Sequence, residues 1–198
     1  MNTIGSPNNS DRSSARIPLD KSGLVESALG WVSEKMYGKV LDPFRAAFHH
    51  RPVLFSYLGF ELAAMRWKKL PQGLQALAVM TVAQEIGCSW CMDFGYWENH
   101  HRGIDPAKLR DVPQWRTSRA YTNLERTVME YAAAATATPP TVTDDMVACL
   151  REDLTDAQVV ELASLVSLEN LRSRTNAGLG LTSQGFKAEC EVPIREVS

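Results

Sequence analysis

The sequence predicts an all-α fold from three observations. Apolar residues recur at spacings of three and four along most of the chain, as they do on the buried face of a helix. Helix-starting and helix-ending residues punctuate these segments, and no segment shows the period-two alternation of a half-buried strand. With 198 residues, 44% of them apolar, the chain is long enough to enclose one hydrophobic core.

We expect one helical domain over residues 19–186, between an N-terminal tail (1–18) and a C-terminal tail (187–198). The N-terminal tail is rich in Asn and Ser, which is typical of disorder, and it lacks the apolar stretch of a signal peptide. No apolar run reaches the roughly 18 residues that a membrane helix needs. Net charge is −2 without a basic tract, so neither nucleic acid nor a membrane is expected as a partner. These features favour a cytoplasmic protein.

The first half of the chain predicts four long helices and one short one. The first places Leu24, Val25, Ala28, Leu29 and Val32 on one apolar face and stops at Gly38. A short helix begins at Pro43. The apolar segment 52–65 favours core or subunit interface, and the following helix begins after Pro71 and ends at Gly87. The next helix runs from Cys88 to about His101.

The second half is marked by capping residues. Asp105-Pro106 begins a short helix, and Thr122 with Glu125 has the spacing of a capping box. That helix ends before Pro139-Pro140, and a short helix follows over residues 143–151. Thr155 with Gln158 forms a second capping box before a long helix. Glycines at 178, 180 and 185 mark its end.

A CxxC motif, Cys88-Ser89-Trp90-Cys91, is the main chemical signal. Two cysteines three residues apart lie on one side of a helix, within reach of a disulfide. Unpaired N–H groups at a helix start stabilise a thiolate, which is the nucleophilic form. Redox chemistry is therefore the favoured interpretation.

Two other interpretations of the cysteine pair stay open. Free cysteines are often buried as core residues. A zinc site is less favoured, because the other two cysteines, Cys149 and Cys190, form no second pair, and such a site would need distant ligands such as His100 or His101. Without a βαβ pattern, a thioredoxin-like fold is not indicated.

Several separate segments resemble the carboxymuconolactone decarboxylase and alkylhydroperoxidase D-like superfamily, over roughly residues 52–186. They are residues 70–83, 87–93, 121–126, 140–143, 154–162 and 169–180. The resemblance implies an alkylhydroperoxidase D-like helical bundle that assembles into homo-oligomers. It also implies a peroxidase or disulfide-reductase activity, in which one thiolate attacks a peroxide or disulfide and the other cysteine closes a disulfide.

The resemblance further implies a proton relay that this chain does not reproduce. Relay members of the family have a Glu about three turns upstream, sometimes a His between the cysteines, and a His four residues after the second. These positions are Ala76, Trp90 and Gly95 here. As substitute proton carriers we nominate Glu85, three residues before the first cysteine, and His100, because histidine as a residue type is suited to proton transfer near neutral pH.

Three functions follow as hypotheses. The first is a peroxiredoxin-type enzyme: a thiol-dependent peroxidase or disulfide oxidoreductase using Cys88 and Cys91, with a small peroxide or disulfide as substrate and a separate thiol reductant. The second is a carboxymuconolactone decarboxylase-like enzyme, and the third a non-catalytic redox-sensing oligomer. No glycine-rich phosphate loop is present, so we expect no nucleotide, and we assign no other cofactor or metal.

Overall fold

The computed structural model describes residues 15–20 and 23–191, and within these ranges every regular element is helical. The all-α prediction is confirmed. A short 3-10 turn, Val112–Gln114, joins the sixth and seventh helices. The helices are α1 Leu24–Tyr37, α2 Asp42–Ala47, α3 Arg51–Ala64, α4 Gln72–Ile86, α5 Ser89–His101, α6 Pro106–Asp111, α7 Asn123–Thr136, α8 Asp144–Asp153, α9 Asp156–Leu179 and α10 Phe186–Cys190.

Most helix boundaries lie where the capping residues place them. Thr122 and Thr155 each complete a capping box at the start of α7 and α9. Gly38, Gly87 and Gly180 end α1, α4 and α9 in the left-handed conformation that glycine adopts without strain. Local capping therefore sets many of the helix boundaries.

Helix α4 is the centre of the core. It packs against α7 and α9 through Leu74, Ala78 and Val82, which meet Val128 and Leu162. A second cluster joins α4 to α5, α6 and the 3-10 turn, and its members include Leu77, Met80, Tyr96, Val112 and Trp115. No helix in the part of the chain that the structure describes combines the length and apolarity needed to cross a bilayer.

The predicted inward face of α1 is wrong. Leu24 is 93% exposed and Val32 is 43% exposed, while Glu26, Gly30 and Ser33 are buried. Polar partners explain this choice of face. The Glu26 carboxylate accepts from Arg51, and the Ser33 hydroxyl donates to a backbone carbonyl of the following loop.

Helix α3 is apolar but lies mostly on the surface. Only Leu54 is buried, whereas Phe55, Phe60, Leu62 and Met65 are exposed. Apart from Leu54, the segment 52–65 therefore contributes little to the core of this chain.

The ends of the domain differ from the expected boundaries at 18 and 187. Arg16 donates to the carbonyls of Ala177 and Gly178 at the end of α9, so this part of the expected N-terminal tail is attached to the domain. Lys187 lies within α10, so residues 187–191 belong to the folded part. The rest of both expected tails, 1–14 and 192–198, lies outside the described residues.

A buried carboxylate fastens α10 to α5. Asp93 of α5 is 6% exposed and accepts three backbone N–H groups at the start of α10. They come from Gln184 (2.8 Å), Phe186 (3.1 Å) and Lys187 (2.8 Å). Backbone donors at a helix start otherwise have no partner, so one side chain satisfies three of them at once.

We expect Asp93→Ala to lower the free energy of unfolding by about 3 kcal/mol, because three N–H groups lose a charged acceptor. The measurement is urea denaturation followed by circular dichroism. Asp105→Ala is the matched control, since Asp105 caps α6 through one exposed N–H at 2.8 Å, and such a cap is worth about 1 kcal/mol. Equal losses in the two variants would contradict the role given to Asp93.

Candidate active site

The two cysteines of the CxxC motif lie where α5 begins. Gly87 ends α4 with φ 76°, Cys88 is the N-cap, and the helix starts at Ser89. The Cys88 Sγ accepts the backbone N–H of Cys91 at 3.2 Å. This backbone N–H at the helix start is of the kind that favours the thiolate form of a cysteine.

A disulfide joins Cys88 and Cys91, whose Cα atoms are 5.3 Å apart, within the usual range for bridged cysteines. Cys149 and Cys190 are free thiols, the first exposed and the second half-buried. Because metals bind the thiolate form, the bonded pair offers no thiolate ligand in this state.

Helix α9 supplies polar contacts to the Cys91 sulfur. The Ser173 hydroxyl lies 3.2 Å from Cys91 Sγ, and the Asn176 amide donates to the same sulfur at 3.4 Å. Ser173 is 0% exposed and Asn176 is 3% exposed. Both donors are therefore held against the sulfur away from bulk water.

A buried carboxylate extends this set of contacts. Ser173 Oγ lies 2.7 Å from Glu169 Oε1, and Arg172 donates to the other Glu169 oxygen at 3.2 Å. Arg172 also binds Glu61 of α3 through two nitrogens. Since Ser173 has one hydroxyl proton, it can donate either to Glu169 or to Cys91. Glu169, Ser173 and the Cys91 sulfur thus form a continuous row of polar contacts.

Burial raises the pKa of Glu169 above its ordinary value, and the nearby Arg172 guanidinium opposes this shift only in part. The raised pKa brings the carboxyl closer to the usual thiol pKa of about 8.5. Proton transfer between the two groups is less unfavourable as a result.

An apolar cluster also packs against the two cysteines. Trp90 stacks on Phe94 with ring centroids 5.0 Å apart, and its Nε1 donates to Gln184 at 2.7 Å. Leu41 and Phe186 belong to the same cluster. The disulfide therefore lies between hydrogen-bond donors of α9 and an apolar environment.

The cysteines are almost inaccessible to large molecules. Cys88 is 2% exposed and Cys91 is 7% exposed. A surface cleft of about 450 Å³ runs beside the start of α5, where Gly87, Ser89 and Met92 line it, but neither cysteine is part of its wall. A bulky reactant does not reach the sulfurs in this conformation.

The structure does not bring the nominated proton carriers to the disulfide. Glu85 forms an ion pair with Arg116 at 2.9 Å on the surface. His100 lies nine residues beyond Cys91, about 13 Å along the helix, and stacks on Tyr96. Their catalytic roles stay predictions. The polar side chains that lie closer to the disulfide, Glu169, Ser173 and Asn176, belong to α9.

Sequence reasoning did not nominate Glu169, Ser173 or Asn176 as site residues. A signal was present, because these residues lie at i, i+4 and i+7 and continue the stripe that begins with Leu162 and Val166. Three polar residues on the buried stripe of a core helix indicate a polar site in the interior.

Packing at Gly95 leaves no free space, with Met80 in its present conformation, for the histidine that the resemblance implies there. A Cβ atom added at Gly95 would lie 2.5 Å from Met80 Sδ, and Met80 is fully buried. The Met80 side chain occupies the volume that a larger residue at position 95 would need.

Comparison with known proteins places the chain in a family. The family model for the carboxymuconolactone decarboxylase family matches residues 54–134. The chain is also 30% identical over 178 residues to "Uncharacterized protein YnjA" of Escherichia coli (strain K12), covering 89% of this chain and 96% of that protein. The chain belongs to the carboxymuconolactone decarboxylase family. The resemblance noted from the sequence is confirmed.

Solved structures of similar fold agree with this family assignment. The alkylhydroperoxidase AhpD core of a peroxidase-related protein from Ralstonia eutropha JMP134 has a TM-score of 0.81 at 15% identity, covering 92% of this chain and 100% of that one. The debrominase Bmp8 has a TM-score of 0.73 at 15% identity, covering 84% of this chain and 89% of that one. At these identities the likeness shows the fold alone, an alkylhydroperoxidase D-like helical bundle.

The raised pKa of Glu169 predicts how Glu169→Gln changes the pH dependence of stability. A carboxyl whose pKa is raised on folding stabilises the native state below its unfolded pKa of about 4.3 and loses that contribution as pH rises through the folded value. Gln buries no charge at any pH. We therefore expect the variant to gain stability relative to the unmutated protein between pH 4 and pH 8.

Urea denaturation of both proteins across this range measures the effect. The quantity to follow is the difference in free energy of unfolding between the two proteins, since carboxylates common to both cancel in it. If this difference stays constant, or if it favours the unmutated protein more strongly at high pH, burial does not raise the pKa of Glu169.

Proposed function

We propose that this protein is a thiol-dependent oxidoreductase that reduces a small peroxide or disulfide by cycling Cys88 and Cys91 between dithiol and disulfide. The observation that carries the proposal is the bonded cysteine pair at a helix start, with Ser173 and Asn176 of α9 against the Cys91 sulfur. The peroxidase-related name of the R. eutropha relative supports the same chemistry.

With a peroxide as substrate, two steps account for all atoms and electrons. The Cys91 thiolate attacks one peroxide oxygen, the O–O bond breaks, and the leaving alkoxide takes up a proton to become an alcohol. Cys91 is then a sulfenic acid. The Cys88 sulfur attacks it, the S–S bond forms, the S–O bond breaks, and the departing hydroxide gains the Cys88 thiol proton to become water. The two thiols supply both electrons.

With a disulfide as substrate, the same sulfurs act by exchange. The Cys91 thiolate attacks one substrate sulfur, and the substrate's other sulfur leaves as a thiolate. Cys88 then displaces the second half of the substrate and closes the Cys88–Cys91 bond. In both cases an external thiol reductant returns the pair to the dithiol.

Glu169 and Ser173 generate the thiolate in this proposal. An ionised Glu169 accepts the Ser173 hydroxyl proton while the serine oxygen takes the proton of the Cys91 thiol. The result is a Cys91 thiolate with Ser173 and Asn176 as donors, and a neutral Glu169. Burial of Glu169 favours this product, because the neutral carboxyl is the form that tolerates a dry site.

The burial of both sulfurs restricts the substrate to a small molecule. With Cys88 and Cys91 only 2% and 7% exposed, a peroxide with a short substituent reaches them more readily than a protein or a bulky lipid peroxide. The homo-oligomer expected from the sequence stays a prediction. The exposed Phe55, Leu62 and Met65 share one side of α3 and support it, because an exposed apolar helix face is typical of an interaction site.

Cysteine variants test the function directly. Peroxide consumption is measured with a small organic hydroperoxide and a dithiol donor, and the electrophilic substrate is then replaced by a small disulfide. We expect Cys88→Ser and Cys91→Ser each to lower turnover about 100-fold or more, because each removes a reacting atom. Cys149→Ser is the control and keeps full activity, since that thiol is exposed on α8.

Equal turnover by all these variants would overturn the proposal. A reversible Cys88–Cys91 disulfide with no turnover would instead favour a redox-sensing protein. Decarboxylation of a small lactone acid by the double cysteine variant would favour a decarboxylase.

A serine variant tests the proton path. We expect Ser173→Ala to lower the peroxide rate about 100-fold, in the range of general acid–base effects, and to shift its pH profile to higher pH. Ser167→Ala is the matched control on the same helix, because its exposed hydroxyl bonds only the Ala163 carbonyl of its own helix at 2.9 Å. An unchanged pH profile in Ser173→Ala would exclude the path through this hydroxyl.

A further inference from the structure

A second cluster of reactive side chains lies at the other end of α5. His100 and His101 close this helix, and Cys190 is the last residue of α10. The nearest ligand atoms of the three residues all lie within 4.8 Å of one another. The proposed reaction at the Cys88–Cys91 disulfide uses none of these three residues.

The hydrogen bond of His101 leaves a nitrogen free for a metal. His101 Nδ1 lies 2.8 Å from the Trp97 carbonyl. A carbonyl oxygen only accepts, so Nδ1 carries the proton and Nε2 keeps its lone pair. Histidine ligands of metals are commonly oriented in this way, by donating their other ring nitrogen to a backbone carbonyl.

The neighbouring contacts keep the cluster in place. Asp93 holds the start of α10 against α5, so Cys190 at its end lies beside the last turn of α5. His101 also packs on Trp97, with ring centroids 4.4 Å apart.

We propose that His100, His101 and Cys190 form a binding site for Zn²⁺ or a related transition-metal ion. Two imidazole nitrogens and a thiolate are the donors that zinc prefers, at about 2.0–2.1 Å for nitrogen and 2.3 Å for sulfur. Tetrahedral ligands at those lengths are about 3.4 Å apart, so small side-chain rotations close the site.

Metal binding at this site balances without a redox step. The ion displaces the Cys190 thiol proton, which goes to solvent, and three metal–ligand bonds form. A water completes the fourth position, since His101 is exposed. The bound ion would connect the ends of α5 and α10, while Asp93 connects the start of α10 to the same helix.

Cobalt(II) is the probe for the first experiment, because a thiolate ligand gives it a charge-transfer absorption band that histidine alone does not. The full chain is used without an affinity tag and with Cys88 and Cys91 in the disulfide, so that neither sulfur competes. We expect one cobalt ion per chain, the thiolate band, and partial quenching of the tryptophan fluorescence, since Trp97 packs on His101. Zn²⁺ should displace the cobalt.

Matched variants locate the ion. Cys190→Ser should remove the thiolate band, and His101→Ala should weaken Zn²⁺ binding about 100-fold. Cys149→Ser and His49→Ala are the controls, since each changes the same residue type elsewhere, and both should bind as the unmutated protein does. Circular dichroism establishes that every variant is folded.

Absence of the thiolate band in the unmutated protein, or its survival in folded Cys190→Ser, overturns the site. Loss of binding in Cys149→Ser or His49→Ala does so as well. The outcome is independent of the proposed reaction, because metal binding is read with the disulfide closed and without peroxide.

Discussion

The buried stripe of α9 is the constraint on which both the core and the candidate site depend. In its first half, Leu162 and Val166 pack on α4 and α7. In its second half the same stripe turns polar, and Ser173 and Asn176 meet the Cys91 sulfur. One rigid helix thus anchors the donors through the core, so the distances at the sulfur are set by hydrophobic packing. Preorganised donors of this kind need no reordering when charge develops on the sulfur.

Polar groups placed inside the protein hold the rest of the site together. Gln184 accepts the Trp90 indole N–H and the Asp42 backbone N–H on one oxygen, and so connects the CxxC motif to the start of α2. Its own backbone N–H goes to Asp93. The Trp90, Asp93 and Gln184 side chains all have hydrogen-bond partners, which is the condition for tolerating polar groups in a small core. Among the described residues, the Trp115 indole N–H is buried without a partner. The loop between α9 and α10 therefore orders the surroundings of the disulfide from outside the motif.

The sequence predicted the parts of the fold that local chemistry controls. A helix cap or break depends on interactions within one turn, so a few residues of sequence are enough to predict it. Examples are the caps at Thr122 and Thr155 and the break at Gly87. The inward face of α1 could not be predicted in this way, because Glu26 is buried by its partner Arg51, 25 residues away. Apolar periodicity alone favours the opposite face. For α3, the pattern detected apolar residues but not whether another element of this chain covers them.

The same division holds at the site. The two cysteines are three residues apart at the start of one helix, so the sequence could predict that their sulfurs lie close together. Glu169 and Ser173 follow Cys91 by about 80 residues and arrive through the crossing of α9 over α5, which no local pattern reports. Glu85 and His100 were nominated because they are near the cysteines along the chain. Tertiary packing, however, decides which groups share a site. Residues on a core stripe that are polar against expectation are the better guide.

The fit of Met80 beside Gly95 has a consequence for substitutions in the core. A histidine at position 95 beside Met80 would overpack this region and lower stability unless the Met80 side chain adopts another rotamer. Shrinking position 80 first opens a void instead, which is also costly. A larger residue at position 95 therefore fits only when the Met80 side chain moves or becomes smaller, so we expect substitutions at positions 80 and 95 to have non-additive effects on stability.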